Sequence, residues 1–249
     1  MKKKLSIILF SVLFIFSCSQ DSNDTTSSDI SVDGQGGSLA TFALKGDYLY
    51  TVDFYNLSVF NIQDETNPIK VNTVNVGFNI ETLFSFKDYL FIGSQDAMYI
   101  YDVSNAELPN KLSQSNHFRA CDPVVANDVN AFVTLHSNAS CGGVVNELKT
   151  YNIEDIENPI LLNTRGLTEP KGLSLYGDNY LLVCDDTVKI FDITNPDDSI
   201  YLNEINTVNA TDIIIRDNNA FIISDYSIDQ YLLDYNNITN FTKISTFTF

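Results

Sequence analysis

From Asn179 to Asp198 the chain reads NYLLVCDDTVKIFDITNPDD. The apolar run Tyr180 to Cys184 is of strand length, and nothing around it extends the run toward a helix. Asp185-Asp186 and Asn195-Pro196-Asp197 are turn chemistry: short polar side chains that bond their own backbone, and a proline that halts pairing. Read outward, the stretch is two strands of a hairpin followed by a break. The same phrase recurs along the chain.

Five segments align: DYLYTVDFYNLSVFNI from Asp47, DYLFIGSQDAMYIYDV from Asp88, NAFVTLHS from Asn130, NYLLVCDDTVKIFDI from Asn179 and NAFIISDYSIDQYLLDY from Asn219. Their first residues are separated by 41, 42, 49 and 40 positions. A second anchor, the polar residue of Phe-Asn-Ile and its echoes (Asn61, Asp102, Asn152, Asp192, Asp234), steps by 41, 50, 40 and 42. Two independent anchors keep one period, so the chain is an array of repeats of about 40 residues.

Each repeat holds four β-favouring runs; in the fourth they are Leu173 to Tyr176, Tyr180 to Cys184, Val188 to Asp192 and Tyr201 to Ile205. The second run is apolar on both faces, as in Tyr48-Leu49-Tyr50-Thr51-Val52 and Ala220-Phe221-Ile222-Ile223, whereas a strand wetted on one side alternates. Antiparallel four-stranded units buried on both sides stack around an axis, which predicts an all-β, five-bladed β-propeller. The alternating end Ser245-Thr246-Phe247-Thr248-Phe249 raises an outer-membrane barrel as the competing architecture. Barrel strands need about 9 to 11 residues with one lipid-facing side, so the ending reads instead as the outer strand of blade five. Closure of the ring stays open between blade contact alone and an added edge strand from Ile30 to Val32.

The phrases Tyr-Leu-Leu-Val, Val-Lys-Ile-Phe-Asp-Ile-Thr-Asn-Pro, Met-Tyr-Ile-Tyr-Asp-Val-Ser-Asn and Leu-Lys-Thr-Tyr-Asn-Ile-Glu-Asp resemble those of the LVIVD-repeat proteins, bacterial surface or periplasmic propellers. The resemblance spans Leu39 to Phe249. It implies a propeller outside the cytoplasm, often lipid-anchored, and no settled activity.

The start of the chain agrees with that address. Three lysines precede the apolar run Leu5 to Phe16, too short for a spanning helix, which predicts a signal peptide over residues 1–17. Ile15-Phe16-Ser17-Cys18 resembles a bacterial lipobox, apart from the bulky Phe16, and the resemblance implies that Cys18 carries lipid and forms the mature N-terminus. Residues 18–37, rich in Ser, Asp, Thr and Gly, are expected to be a flexible tether, leaving 38–249 for the propeller. Ser19 after the cysteine, with Asp21 and Asp24 nearby, is similar to lipoproteins sent to the outer membrane or cell surface. The net charge of −18, which becomes −21 once the signal lysines are removed, excludes a nucleic acid held through its phosphates.

The third repeat is the irregular one. Its two anchors lie 22 residues apart, against 13 to 15 in the others, so the insertion falls between strands two and three, around His136 to Glu147. Cys121 and Cys141 then share one face of one blade. A disulfide between them would enclose 19 residues and contribute roughly 3 kcal/mol through loop closure. Free thiols, a metal site recruiting His117, His136 or Cys184, and a Cys141 to Cys184 pairing are the alternatives; Cys184 reads best as a small buried hydrophobe.

The same face gathers Asp53, Asp96, Asp185, Asp186 and Asp225 at the ends of second strands, with Asp122, Arg119 and His136 beside them. These are the candidate binding-face residues. A cation site or a pair of catalytic acids is one reading, and turn-forming aspartates the other. No repeat carries an extra Glu with a neighbouring Arg, His117 and His136 read as solvated loop residues, and no nucleophile elbow, phosphate loop or zinc motif is present. The absence of Trp weakens a carbohydrate reading, although 13 Tyr and 17 Phe could substitute. No metal and no cofactor is expected. The expected function is non-enzymatic: a lipid-anchored propeller on the outer membrane or cell surface that binds a protein, glycan or small-molecule partner through this face. The alternative is a carbohydrate-active or other hydrolytic propeller using its carboxylates.

Overall fold

A computed structural model describes residues 36–249, apart from 118, 121, 138–142 and 208. Twenty strands form five separate antiparallel sheets, each of four sequence-consecutive strands. Blade one holds β1 (Phe42–Lys45), β2 (Tyr48–Val52), β3 (Asn56–Asn61) and β4 (Ile69–Asn75). Blade two holds β5 (Ile80–Phe86), β6 (Tyr89–Ser94), β7 (Ala97–Asp102) and β8 (Asn110–Asn116). Blade three holds β9 (Val124–Ala126), β10 (Asn130–Leu135), β11 (Glu147–Asn152) and β12 (Ile160–Gly166). Blade four holds β13 (Leu173–Tyr176), β14 (Tyr180–Cys184), β15 (Val188–Asp192) and β16 (Ile200–Ile205). Blade five holds β17 (Ala210–Arg216), β18 (Asn219–Ser224), β19 (Ser227–Leu233) and β20 (Phe241–Thr248), so the C-terminal run is indeed an outer strand.

The second anchor of the repeat has a local cause. Asn61, Asp102, Asn152, Asp192 and Asp234 each accept the backbone N–H two residues on, at 2.7 to 3.0 Å, and so turn the chain out of the third strand. A proline then stands directly before β4, β8 and β12, and Pro196 opens a single 3-10 turn before β16. In every blade the third and fourth strands slip by one residue just before an aromatic side chain of the third strand (Phe60, Tyr101, Tyr151, Phe191 or Tyr231), a bulge that adds twist to the outer edge.

Packing between blades runs through the second strands. Their third residues are Tyr50, Phe91, Phe132 and Leu182 in blades one to four, each fully buried against the next blade. Their second residues in blades two to five, Leu90, Ala131, Leu181 and Ala220, are fully buried on the opposite face. Four apolar clusters result, at the junctions of blades one and two, two and three, three and four, and four and five. Inner strands of blades two to five, with Gly36 and Ser38 from the lead-in to blade one, line a cavity of about 230 Å³. There Ser38 ties blade one to the far blades: its Oγ donates to Asp212 at 3.1 Å and accepts from the Leu173 N–H at 2.8 Å.

One expectation is corrected here. The sequence reads every second strand as buried on both faces, yet β2 and β18, the two quoted in support, are buried on one face only, while β6, β10 and β14 are buried on both. Leu49 and Phe221 occupy positions that are closed in every other blade, and here each is half-buried. Among the described residues no fifth buried cluster joins blade five to blade one. The apolar pattern belongs to the repeat, whereas burial depends on a neighbour that, among the described residues, the two end blades have on one side only. Each blade owns its four strands, so no strand exchange stitches the ring among the described residues; Ile30 to Val32 lie outside them.

This asymmetry is measurable. Phe132→Ala removes a ring buried on all sides and should cost ~3–5 kcal/mol in denaturant unfolding. Phe221→Ala at the matching position should cost about half of that or less. Equal losses would show that Phe221 is packed as fully as Phe132.

Candidate binding face

The loops joining second to third strands lie at one end of the blades, together with the lead-ins to the first strands. They are two or three residues long in blades one, two, four and five, whereas blade three uses His136 to Asn146, the predicted insertion. Residues 138–142 of that loop, and with them Cys141, lie outside the described residues, as do Cys121 and Cys18. Cys184 is free and fully buried between blades four and five, where desolvation pushes its thiol well above the usual range. It packs as a small hydrophobe.

The strand-end aspartates are mostly occupied by their own turns. Asp53 accepts the N–H groups of Tyr55 and Asn56, both at 2.8 Å, and these bonds hold its carboxyl below the ordinary range. Asp185 is buried and accepts the Thr168 and Glu169 N–H groups. Asp186 pairs with Lys189, which lowers its pKa. The Ser94 hydroxyl donates to Asp96 at 2.7 Å, and Asp225 is exposed. These side chains do not converge on a shared ligand.

A second group does converge, at the start of β5 and the lead-in to β9. Gln95, buried, receives the Asn79 amide at 2.7 Å and the Arg119 Nε–H at 3.0 Å on its Oε1, and donates its own amide to Glu81 at 2.9 Å. Burial raises the Glu81 carboxyl, and the Gln95 bond and the Arg119 charge pull it part of the way back. Beneath them Asp122 is completely buried, with His117 Nε2 3.0 Å from its Oδ2. Desolvation outweighs His117 and pushes the Asp122 carboxyl up to about 8. The Thr82 hydroxyl donates to the Asp122 carbonyl, and Gly93 has no side chain because the same carbonyl fills the space a Cβ would need.

One sequence expectation fails at this point. His117 and His136 are not solvated: the His117 side chain is 1% exposed, and His136 is buried, its pKa lowered first by burial and then by Lys171. Within each repeat the expectation of no paired Glu and Arg stands; Glu81 and Arg119 are linked through Gln95 across two repeats, a relation that the sequence of either repeat does not contain. Gln95 and Asn79 belong to no motif, and nothing in the sequence singles them out. Asp122 and Arg119 do stand at the mouth of blade three, as the repeat phase predicts. Among the described residues no group of three or more His, Cys, Asp or Glu is placed to hold a metal ion.

No protein-family model and no curated protein matches the sequence. Solved structures do match in shape. A protein from Lactobacillus plantarum superimposes with a TM-score of 0.67 at 13% identity, over 80% of this chain and 67% of its own. The periplasmic gluconolactonase of Pseudomonas aeruginosa gives 0.62 at 13% identity, over 81% and 67%. A functionally unknown protein from Desulfotomaculum acetoxidans gives 0.53 at 12% identity, over 82% and 80%. The propeller-like neighbours and the five four-stranded sheets establish the class as an all-β five-bladed propeller. At these identities the likeness concerns fold and leaves activity undefined.

The Asp122 environment predicts a pH dependence. Folded Asp122 keeps its proton up to about pH 8, whereas an unfolded Asp releases it near about pH 4, so the native state binds the extra proton across that window. Its contribution to stability is complete at the acidic end and is lost as pH rises. Denaturant midpoints from about pH 5 to about pH 9 should therefore fall more steeply for the wild type than for Asp122→Asn; parallel slopes would refute the assignment.

Proposed function

We propose that the protein is a non-enzymatic, extracytoplasmic propeller of the LVIVD-repeat type, anchored by lipid on Cys18 to the outer membrane or cell surface, that binds a partner through the face centred on Glu81, Gln95 and Arg119. One observation carries the reading. Asp122, the carboxyl whose proton affinity is strongly raised, is sealed away at 0% exposed, while the exposed turn acids Asp53 and Asp186 have lowered pKa values and stay ionised. Acid chemistry needs a protonated group that a reactant can reach, and these two sets fail in opposite ways. Arg119, exposed and docked on a fixed glutamine, suits recognition.

The signal peptide over 1–17, the tether over 18–37 and a Cys121 to Cys141 disulfide complete the proposal. Glu81 supports a hydrolytic alternative, since it is partly accessible, has a raised pKa and faces Arg119, and one propeller-like neighbour is a gluconolactonase. Incubation with sugar lactones tests it: turnover abolished by Glu81→Gln would replace the binding proposal.

Two measurements test the leading reading. Wild-type protein coupled to beads should capture envelope components that Arg119→Ala and Gln95→Ala release at lower salt, while the melting temperature of exposed Arg119→Ala stays close to wild type; identical capture by all three would refute the face. Thiol titration of the denatured, unreduced mature protein should find one thiol, that of Cys184, whereas three would eliminate the disulfide.

A further inference from the structure

Three aromatic rings stand exposed at the same end of the blades. Phe54 and Tyr55, in the loop between β2 and β3, are 67% and 49% exposed, and Phe78, in the connection from β4 to β5, is 53% exposed. Their rings touch in sequence, with centroids 6.5 Å apart for Phe54 and Tyr55 and 5.9 Å for Tyr55 and Phe78, at interplanar angles of 45° and 49°. They form a tilted cup. Leaving such rings in water forgoes the stabilisation their burial would supply, and the fold gains nothing from their exposure.

The cup is held rigidly. Asp53 fixes the N–H groups of Tyr55 and Asn56, the Tyr55 carbonyl accepts from Val76 at 2.9 Å, and the Phe54 carbonyl accepts from Ile80 at 3.2 Å. A second, independent feature adjoins it. Asn79, next to Phe78, has φ of 50°, the left-handed region that non-glycine residues seldom occupy, and this conformation directs its amide onto Gln95. From Gln95 the polar chain continues to Glu81 and Arg119. Apolar rings therefore run directly into an amide, a second amide, a carboxylate and a guanidinium.

We propose that this surface is a binding site for neutral carbohydrate, which deepens the binding reading above and rests on it. A pyranose presents an apolar C–H face, which stacks on aromatic rings, and a rim of hydroxyls that both donate and accept. Gln95 is buried and serves to hold its neighbours, so the groups left for the ligand are the Asn79 amide, which donates and accepts, the Glu81 carboxylate, which accepts only, and the Arg119 guanidinium, which donates only; together they can satisfy vicinal hydroxyls in either sense. The ligand is not anionic, because the chain carries a net charge of −18 and Asp53, beside the rings, is held ionised, and the exposed Arg119 at the other end of the site disfavours a cation. The same net negative charge repels an anionic lipid surface or an acidic glycan. The missing indoles are replaced by three smaller rings that share the stacking area.

The test is affinity electrophoresis of the soluble mature protein, with Cys18→Ser to remove the lipid site, through gels containing a neutral β-glucan, a mannan or a xyloglucan, with alginate and polygalacturonate as acidic counterparts. Retardation in a neutral gel is expected, with the apparent affinity about three- to tenfold lower in Phe54→Ala and Phe78→Ala. It should be unchanged in Phe247→Ala, an equally exposed ring on β20. Migration unaffected by all three neutral glycans, retardation confined to the acidic gels, or equal retardation in Phe54→Ala, Phe78→Ala and wild type would each overturn the proposal. If no neutral glycan slows the wild type while Arg119-dependent envelope capture persists, the carbohydrate inference falls and the binding face stands. If both fail, the face itself is wrong.

Discussion

The structure depends on one repeated contact: in blades one to four, the third residue of the second strand pressed against the next blade. Tyr50, Phe91, Phe132 and Leu182 fill that position with no exposed surface, and each lies in a different one of the four apolar clusters. A single antiparallel sheet of this size cannot bury both faces by itself. Stacking supplies the missing partner, and the stack fixes where the loops at one end can stand. Phe221 shows the contrast: among the described residues nothing closes over it, and it keeps its apolar character and remains half-buried.

On that frame, polar groups divide into two kinds. Turn aspartates such as Asp53 and Asp186 serve the local chain and stay ionised. Asp122 and Asp212 lie deep near the starts of inner strands, where burial raises both carboxyls and their partners, His117 and Ser38, come from outside those strands. Between these extremes the chain Asn79, Gln95, Glu81 and Arg119 joins two blade junctions at the surface. Its position beside Phe54, Tyr55 and Phe78 gives the face both a polar and an apolar part.

Much of the fold was legible because its causes are local. Asn61, Asp102, Asn152, Asp192 and Asp234 betrayed the period by bonding two residues ahead, and a turn of that kind needs only the residues within it. Prolines before the fourth strands are legible for the same reason. The site was less legible. Gln95 has no distinctive neighbours in sequence, and its partners arrive from separate loops, so its role exists only after the blades have packed. The burial of His117 and His136 is likewise a property of the assembled blades, since both stand in sequence that reads as solvated loop. The half-open faces of β2 and β18 are invisible in the sequence because composition reports what a strand can pack against and is silent on whether a neighbour is there.

Native-state hydrogen exchange tests the packing account most directly, because it reports the stability of each strand separately. Amides of Leu90 to Ile92, Ala131 to Val133 and Leu181 to Val183, in strands covered on both faces, should exchange at the slowest, global rate. Those of Leu49 to Thr51 and Phe221 to Ile223 should exchange measurably faster, through opening of an end blade. Equal protection in all five second strands would contradict the account, since it would require the faces of blades one and five to be covered as fully as the rest.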